Sequence, residues 1–193
     1  MRKRTRIVLH PRPLAPGARE LVVNGRAHAL AALGDAIHGE LFWMQPAVFR
    51  REWQLVSERG EHMLIHGRGL SGRRASVETP AATWSVSRGW TGRVELTDAG
   101  GGSLMSVAHR WLMRSRLEPA AGPSLVWRWH WSGSRTLEAE EGQVLLRLQR
   151  AWSFLRQQAV VTVADAARGR EDLLQLLAVT GFAWLSEARG HPY

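Results

Sequence analysis

Two histidines and one run of glycines have a spacing that could indicate a metal site or a phosphate-binding loop. His62 and His66 flank an apolar stretch, and on a strand they would share a face but lie about 13 Å apart, too far to bind one metal ion. We therefore expect surface histidines and no metal site. Gly100-Gly101-Gly102 precedes a strand pattern instead of a helix start, so it predicts a hairpin turn and not a phosphate loop.

Nucleophilic and acid–base chemistry find no better support. Ser71 lies in Gly69-Leu70-Ser71-Gly72, which lacks the Gly-x-Ser-x-Gly spacing of a nucleophile elbow. The acidic pair Glu140-Glu141 falls at a predicted turn, where we expect it to be solvated. The sequence indicates no pair of carboxylates that could act as general acid and general base. The chain has no cysteine, so thiolate chemistry and disulfides are excluded. We therefore expect that the chain is not an enzyme and that it binds no cofactor.

The charge of the chain is its strongest functional signal. The formal net charge is +9, and Lys3 is its single lysine. A guanidinium can grip phosphate through two hydrogen bonds, so an arginine surplus suits nucleic acid or anionic lipid. A GC-rich coding bias is the alternative, since isoleucine and asparagine are scarce while Arg, Ala and Gly abound.

The arginines also follow a strand pattern. We predict one strand from Arg110 to Leu117, in which arginines alternate with apolar residues. Trp127, Trp129 and Trp131 share one face of another strand, and if they point into the core, Arg128 points outward. The predicted anion- and phospholipid-binding residues are Arg73, Arg74, Arg110, Arg114, Arg116 and Arg128.

Period-two alternation dominates the chain from Leu41 onward. Glycine turns at Gly60, Gly102 and Gly142 recur at similar spacing, each followed by an apolar strand. Such repetition predicts an antiparallel sandwich or barrel. Too few repeats are present to close a propeller.

The carboxy-terminal stretch, about 171–186, reads as a helix with almost no polar side. At 1.5 Å per residue it would span roughly 24 Å, short of the roughly 30 Å hydrocarbon layer of a bilayer. A helix that is apolar all round must be enclosed. We therefore predict that protein, and not lipid, surrounds it.

The amino-terminal part carries weaker signals. Residues 1–17 form a basic, proline-rich stretch that we expect to be a poorly ordered tail. The Asn24-Gly25 dipeptide predicts a small hairpin, and Ala27 to His38 is predicted to be a short helix. The apolar stretch after the basic start is too short for an export signal, which favours a cytoplasmic location.

The order of elements near the carboxy terminus resembles the tubby-like superfamily, including its LURP-one-related and phospholipid scramblase members. It consists of the glycine turn and strand 142–151, an arginine–aromatic corner up to Arg156, the strand Val160 to Val163, an acidic turn and the apolar helix. The resemblance covers roughly the last four-fifths of the chain, from about Leu41, and the chain length predicts a single domain, which we place at residues 18–193. The resemblance implies a mainly β fold, a closed antiparallel barrel of about twelve strands enclosing the hydrophobic helix.

These observations predict a non-enzymatic binding or scaffold module. Because tubby-like relatives bind phosphoinositides or associate with membranes, the resemblance implies an anionic phospholipid partner and a cytoplasmic, membrane-peripheral location. Nucleic-acid binding by the same arginines is the alternative, and a structural module for a protein partner is a third.

Overall fold

Strands make up most of the described chain. The computed structural model describes residues 19–23, 26–46, 51–68, 72–110, 114–151 and 158–187. The strands, in chain order, are β1 (Arg19–Val23), β2 (Arg26–Leu30), β3 (Leu41–Met44), β4 (Glu52–Ser57), β5 (Gly60–Arg68), β6 (Arg74–Glu78), β7 (Thr83–Arg88), β8 (Val94–Thr97), β9 (Ser103–Arg110), β10 (Arg114–Pro119), β11 (Leu125–Trp129), β12 (Arg135–Ala139), β13 (Val144–Arg150) and β14 (Gln158–Val163). A 3-10 helix at Gly34–His38 precedes β3, and the helices α1 (Asp165–Arg168) and α2 (Leu173–Glu187) follow β14.

The strands β3 to β14 form a closed antiparallel barrel of 12 strands. Each strand pairs with the next one along the chain, and β14 pairs with β3 to close the cylinder. The β1–β2 hairpin lies beside this barrel and contacts β5 through a parallel bridge between Leu30 and Glu61. The predicted fold class is confirmed, and so is the hairpin around Asn24-Gly25, whose turn residues lie outside the described residues.

Helix α2 packs against the barrel strands and belongs to the same hydrophobic core. Every residue from Leu176 to Leu185 is buried, and the apolar ones form one cluster with the inward-facing residues of the strands. Thr180 is satisfied within the helix, since its hydroxyl donates to the Leu176 carbonyl at 2.6 Å. The predicted helix at about 171–186 is confirmed, and no described helix has the length and apolarity to cross a bilayer.

Gly181 is the point at which helix and wall approach most closely. A Cβ atom at this position would lie 2.5 to 2.6 Å from three atoms of the Trp43 indole. Real Cβ contacts are never this short, so only glycine lets the helix backbone reach the ring. Trp43 is fully buried on β3, so this close contact lies within the core that α2 shares with the strands.

Alternation along the strands sorts side chains between the core and the outer surface. On β10, Ser115 and Leu117 are buried, whereas Arg114 and Arg116 are exposed. This is the period of two that a strand imposes on its side chains. Outward-facing arginines are therefore displayed on the barrel wall without disturbing the core.

The predicted glycine turns are confirmed as hairpin turns. They join β4 to β5, β8 to β9 and β12 to β13, all at the same end of the barrel. Gly60, Gly101 and Gly142 have φ angles of 127°, 85° and 84°, a region that favours glycine. In the second turn, the Asp98 carboxylate also accepts hydrogen bonds from the Gly100 and Gly102 amides.

Two sequence-based predictions of secondary structure are wrong. The helix predicted from Ala27 to His38 is replaced by strand β2 and the short 3-10 helix, because the first residues complete the hairpin. The single strand predicted from Arg110 to Leu117 is two strands: β9 ends at Arg110, and β10 begins at Arg114 and runs back beside it. No glycine or proline marks this reversal. The predicted tail 1–17 and Ser71 lie outside the described residues.

Candidate anion-binding site: the arginine rim

The two ends of the barrel carry different side chains. At one end, arginines lie at the strand termini or within two residues of them. This set, the arginine rim, consists of Arg51, Arg68, Arg73, Arg74, Arg88, Arg93, Arg110, Arg114, Arg128, Arg135 and Arg150. The stretches of sequence between these strand ends contain no aspartate or glutamate, although the strand terminus at the start of β4 is a buried carboxylate, Glu52.

The opposite end carries carboxylates at the corresponding positions. This set, the carboxylate rim, consists of Glu40, Glu58, Glu78, Asp98, Glu118, Glu140, Glu141 and Asp165. The barrel therefore has a positive end and a negative end. Charge distributions of this kind steer proteins toward oppositely charged surfaces before contact.

Strand register sets arginine directly opposite arginine at two places on the arginine rim. Arg68 on β5 pairs with Arg74 on β6. Across the barrel wall, Arg114 on β10 pairs with both Arg110 on β9 and Arg128 on β11. Like charges directly opposite each other destabilise a sheet, so these positions favour a bound anion.

Carboxylates neutralise only part of this charge. Arg128 donates to Glu138 at 3.1 Å, and Glu138 also accepts from Thr136. Within the described chain, Arg68, Arg74 and Arg114 are exposed and form no ion pair with a carboxylate. These three residues are accordingly the positions best placed to hold an external anion.

Arg116 differs from the other predicted residues. It points toward the carboxylate rim, where it donates to Ser124 at 2.9 Å and to Glu140 at 3.3 Å. The structure thus gathers Arg73 and Arg74 on one side of the arginine rim and three other predicted arginines on another. It leaves Arg116 outside that rim.

Exposed tryptophans accompany the arginines. Trp90 is 90% exposed in the β7–β8 turn and Trp131 is 94% exposed in the β11–β12 turn, while Trp129 at the end of β11 is 42% exposed. The inward orientation predicted for Trp127, Trp129 and Trp131 is therefore correct for Trp127 and wrong for the other two. Strand β11 ends at Trp129, and the chain turns away before Trp131.

Two of the rim arginines stack on these indoles. The Arg73 guanidinium carbon lies 3.7 Å from the centre of the Trp90 ring, and that of Arg135 lies 3.8 Å from Trp129. A cation over an indole face is attracted by the negative face of the ring. Sequence reasoning missed these pairs, although Gly89 and Gly92 around Trp90 mark a turn and could have indicated its exposure.

His62 has a structural role that the sequence did not reveal. It is fully buried, and its ring bonds the Ser57 hydroxyl at 2.7 Å and the Ala31 carbonyl at 3.0 Å. Burial lowers its pKa. The predicted surface position is wrong because the residue lies at a register shift between β4 and β5, beneath the segment that contains Ala31.

This histidine and serine form no accessible catalytic pair. Both Ser57 and His62 are buried, so a substrate cannot reach the hydroxyl. Their hydrogen bonds instead connect the segment after β2 to the barrel wall. No group of three or more histidine, aspartate or glutamate side chains is arranged to bind a metal ion among the described residues.

No protein-family model, curated protein or solved structure matches this chain. The arginine rim and its tryptophans are therefore interpreted from their own geometry and charge.

Proposed function

We propose that this chain is a non-enzymatic binding module of the tubby-like kind, whose arginine rim holds the phosphate groups of an anionic lipid surface. The observation that carries this proposal is the register of the rim arginines. Arg68 pairs with Arg74 in the strand register, and Arg110 pairs with Arg114. A fold that sets like charges opposite each other lowers its own stability, unless an anion lies between them.

Phosphate is the anion that suits this arrangement. Guanidinium groups bind phosphate through paired, charge-assisted hydrogen bonds, and they stay charged at any physiological pH. The rim arginines are distributed around one end of a cylinder, so they can contact a flat surface simultaneously. A bilayer rich in anionic headgroups offers such a surface, and each basic residue near it contributes about 1 kcal/mol of binding.

The tubby-like part of the proposal is supported by architecture. The resemblance in the carboxy-terminal elements implies a closed barrel around a hydrophobic helix, and the chain has a 12-stranded barrel with α2 in its core. The residues proposed to bind lipid come from the geometry of this chain and not from that resemblance.

Vesicle co-sedimentation tests the proposal. We expect the protein to bind vesicles of phosphatidylcholine with phosphatidylserine, but not vesicles of phosphatidylcholine alone. Binding should persist with excess duplex DNA as a competitor. Preferential capture by DNA would favour the nucleic-acid alternative, and no binding to either polyanion would contradict the proposed function.

Two triple variants provide a matched comparison. Arg68→Gln, Arg74→Gln and Arg114→Gln remove three rim charges, and the affinity for anionic vesicles should fall on the order of 100-fold, given about 1 kcal/mol per residue. The control, Arg59→Gln, Arg116→Gln and Arg147→Gln, removes the same charge from the rest of the barrel. Equal losses in both variants would show that net charge and not the rim determines binding.

A further inference from the structure

The exposed large hydrophobic side chains of the described chain all lie at the arginine rim. They are Trp90, Trp129 and Trp131. Tryptophan usually buries most of its large surface, so indoles that are 90% and 94% exposed are unusual. Their concentration at one end of the barrel indicates a contact surface and not a random distribution of apolar residues.

We infer that Trp90 and Trp131 insert into the interface of an anionic bilayer and that the barrel stands end-on with its arginine rim against the membrane. This inference rests on the proposed function and adds the orientation of the docked molecule. Indoles prefer the headgroup level of a bilayer, where the ring is in an apolar environment and its N–H stays hydrated.

The spacing of the two indoles suits a flat surface. The β7–β8 and β11–β12 turns lie four strands apart along the barrel wall, which corresponds to an arc of about 19 Å. Two anchors at this separation resist tilting in one direction. Arg74, on β6 beside the first turn, and Arg114, on β10 between the two turns, can contact headgroups at the same time.

The contact between Arg73 and Trp90 couples the two kinds of interaction. With the guanidinium 3.7 Å from the ring centre, the charge lies beside the indole, at the level where phosphates meet the inserted ring. A membrane is favoured over other partners because the rim combines positive charge with isolated, turn-borne tryptophans. Amphipathic membrane contacts have the same combination.

A second copy of this chain is the competing occupant, since its carboxylate rim has the complementary charge. In the described chain, however, the carboxylate rim exposes no large hydrophobic residue that could cover the indoles. Such stacking would be head-to-tail and would build open filaments. Sedimentation velocity on the free protein detects that outcome.

The absence of cysteine from the chain permits a direct test with site-specific fluorophores. Thr91→Cys and Ser132→Cys each place one thiol beside an anchoring tryptophan, and Ala121→Cys places one at the opposite end of the barrel. Each is labelled with an environment-sensitive dye and mixed with phosphatidylcholine–phosphatidylserine vesicles. We expect a blue shift and an intensity increase at positions 91 and 132, and no change at 121.

The variant Trp90→Ala with Trp131→Ala complements the labelling. Both side chains are exposed, so we expect unchanged thermal unfolding, while vesicle affinity falls about tenfold for each indole removed, in proportion to the lost apolar contact. If the native protein binds vesicles but the double variant binds equally well, or if the dye at 121 responds as strongly as the other two, the anchoring is wrong and the proposed function stands. If the native protein binds no anionic vesicle, both fail.

Discussion

The two rims of the barrel are built from the same strands, yet they differ in whether their arginines form ion pairs with carboxylates. On the carboxylate rim the arginines have partners: Arg59 contacts Asp35 at 3.0 Å and Arg116 contacts Glu140 at 3.3 Å. On the arginine rim, Arg68, Arg74 and Arg114 have no carboxylate partner within the described chain. Acidic side chains of the chain itself neutralise Arg59 and Arg116, whereas none does so for Arg68, Arg74 and Arg114 within the described chain.

The charge difference between the rims lies outside the interactions that stabilise the fold. Exposed ion pairs such as Arg59–Asp35 contribute little to stability, typically about 0.2–1 kcal/mol. The barrel is held by its core, in which α2 meets the inward faces of the strands. Both rims can therefore vary in charge without loss of the fold, and the comparison between them can be tested by substitution.

Removing helix α2 should unfold the barrel, so that neither rim is formed. A chain ending at Ala167 loses eight large apolar side chains, worth about 12–24 kcal/mol of burial before ordering entropy, more than the net stability of a typical domain. We expect an insoluble or molten product without a cooperative thermal transition. A soluble product that melts cooperatively by circular dichroism would contradict the position of α2.

Gly181→Ala should weaken the barrel without changing the charge at either rim. The added methyl overlaps the Trp43 ring, whose nearest atom is 2.5 Å away, and overpacking of this kind costs about 1–3 kcal/mol. Urea unfolding measures the loss. Gly181→Ala also gains about 1 kcal/mol of helix propensity, and the variant Ala183→Gly, within the same helix, measures the size of that effect. A net stabilisation of Gly181→Ala by this full amount would rule out the close approach.

Charge reversal should have opposite effects at the two rims. Arg114→Glu places a carboxylate between Arg110 and Arg128, so we expect a gain of about 0.2–1 kcal/mol in stability and a loss of vesicle binding. Arg116→Glu brings a third carboxylate beside Glu118 and Glu140 and should destabilise by a similar amount while binding is retained. Thermal unfolding measures the stability of both variants, and co-sedimentation measures their vesicle binding. Stability changes of the same sign in the two variants would remove the distinction between the rims.

The stability of the barrel should depend on pH through the buried His62, whereas the charge of the arginine rim should not. Because burial lowers the pKa of His62, the unfolded chain binds a proton more readily than the folded chain. This contribution is fully present above the unfolded pKa of about 6.5 and is lost as pH falls below it, toward the lower folded value. The rim arginines stay charged throughout.

Urea unfolding between pH 8 and pH 5.5 measures this contribution. The variant His62→Gln should be less stable at pH 8, because it loses the hydrogen bonds to Ser57 and Ala31. It should also lose less stability on acidification than the native chain. Identical pH profiles would assign the acid sensitivity to other groups.

The fold was predictable because its signals are local. Period-two alternation indicated strands, and the apolar stretch from Leu173 to Leu185 required enclosure. The errors arose where strands end. Between Arg110 and Arg114 no turn residue marks the reversal, and the alternation of Trp127, Trp129 and Trp131 continues beyond the end of β11.

The sequence predicted which residue type forms the candidate site, but not where on the barrel these residues lie. Arginine-rich strands could be identified from the sequence, but the end of the barrel that each arginine occupies depends on the direction of its strand. Register then decides which arginines meet, such as Arg68 with Arg74. The burial of His62 depends on a register shift and on a segment distant in sequence, neither of which leaves a local pattern.

The sharpest test of lipid contact at the arginine rim is the salt dependence of binding to anionic vesicles. Screening by salt weakens each phosphate contact, so the slope of log affinity against log salt reports how many contacts a protein makes. We expect a shallower slope for the triple variant of Arg68, Arg74 and Arg114 and a native slope for the triple variant of Arg59, Arg116 and Arg147. Equal slopes in the two variants would contradict the assignment of the lipid contact to the arginine rim.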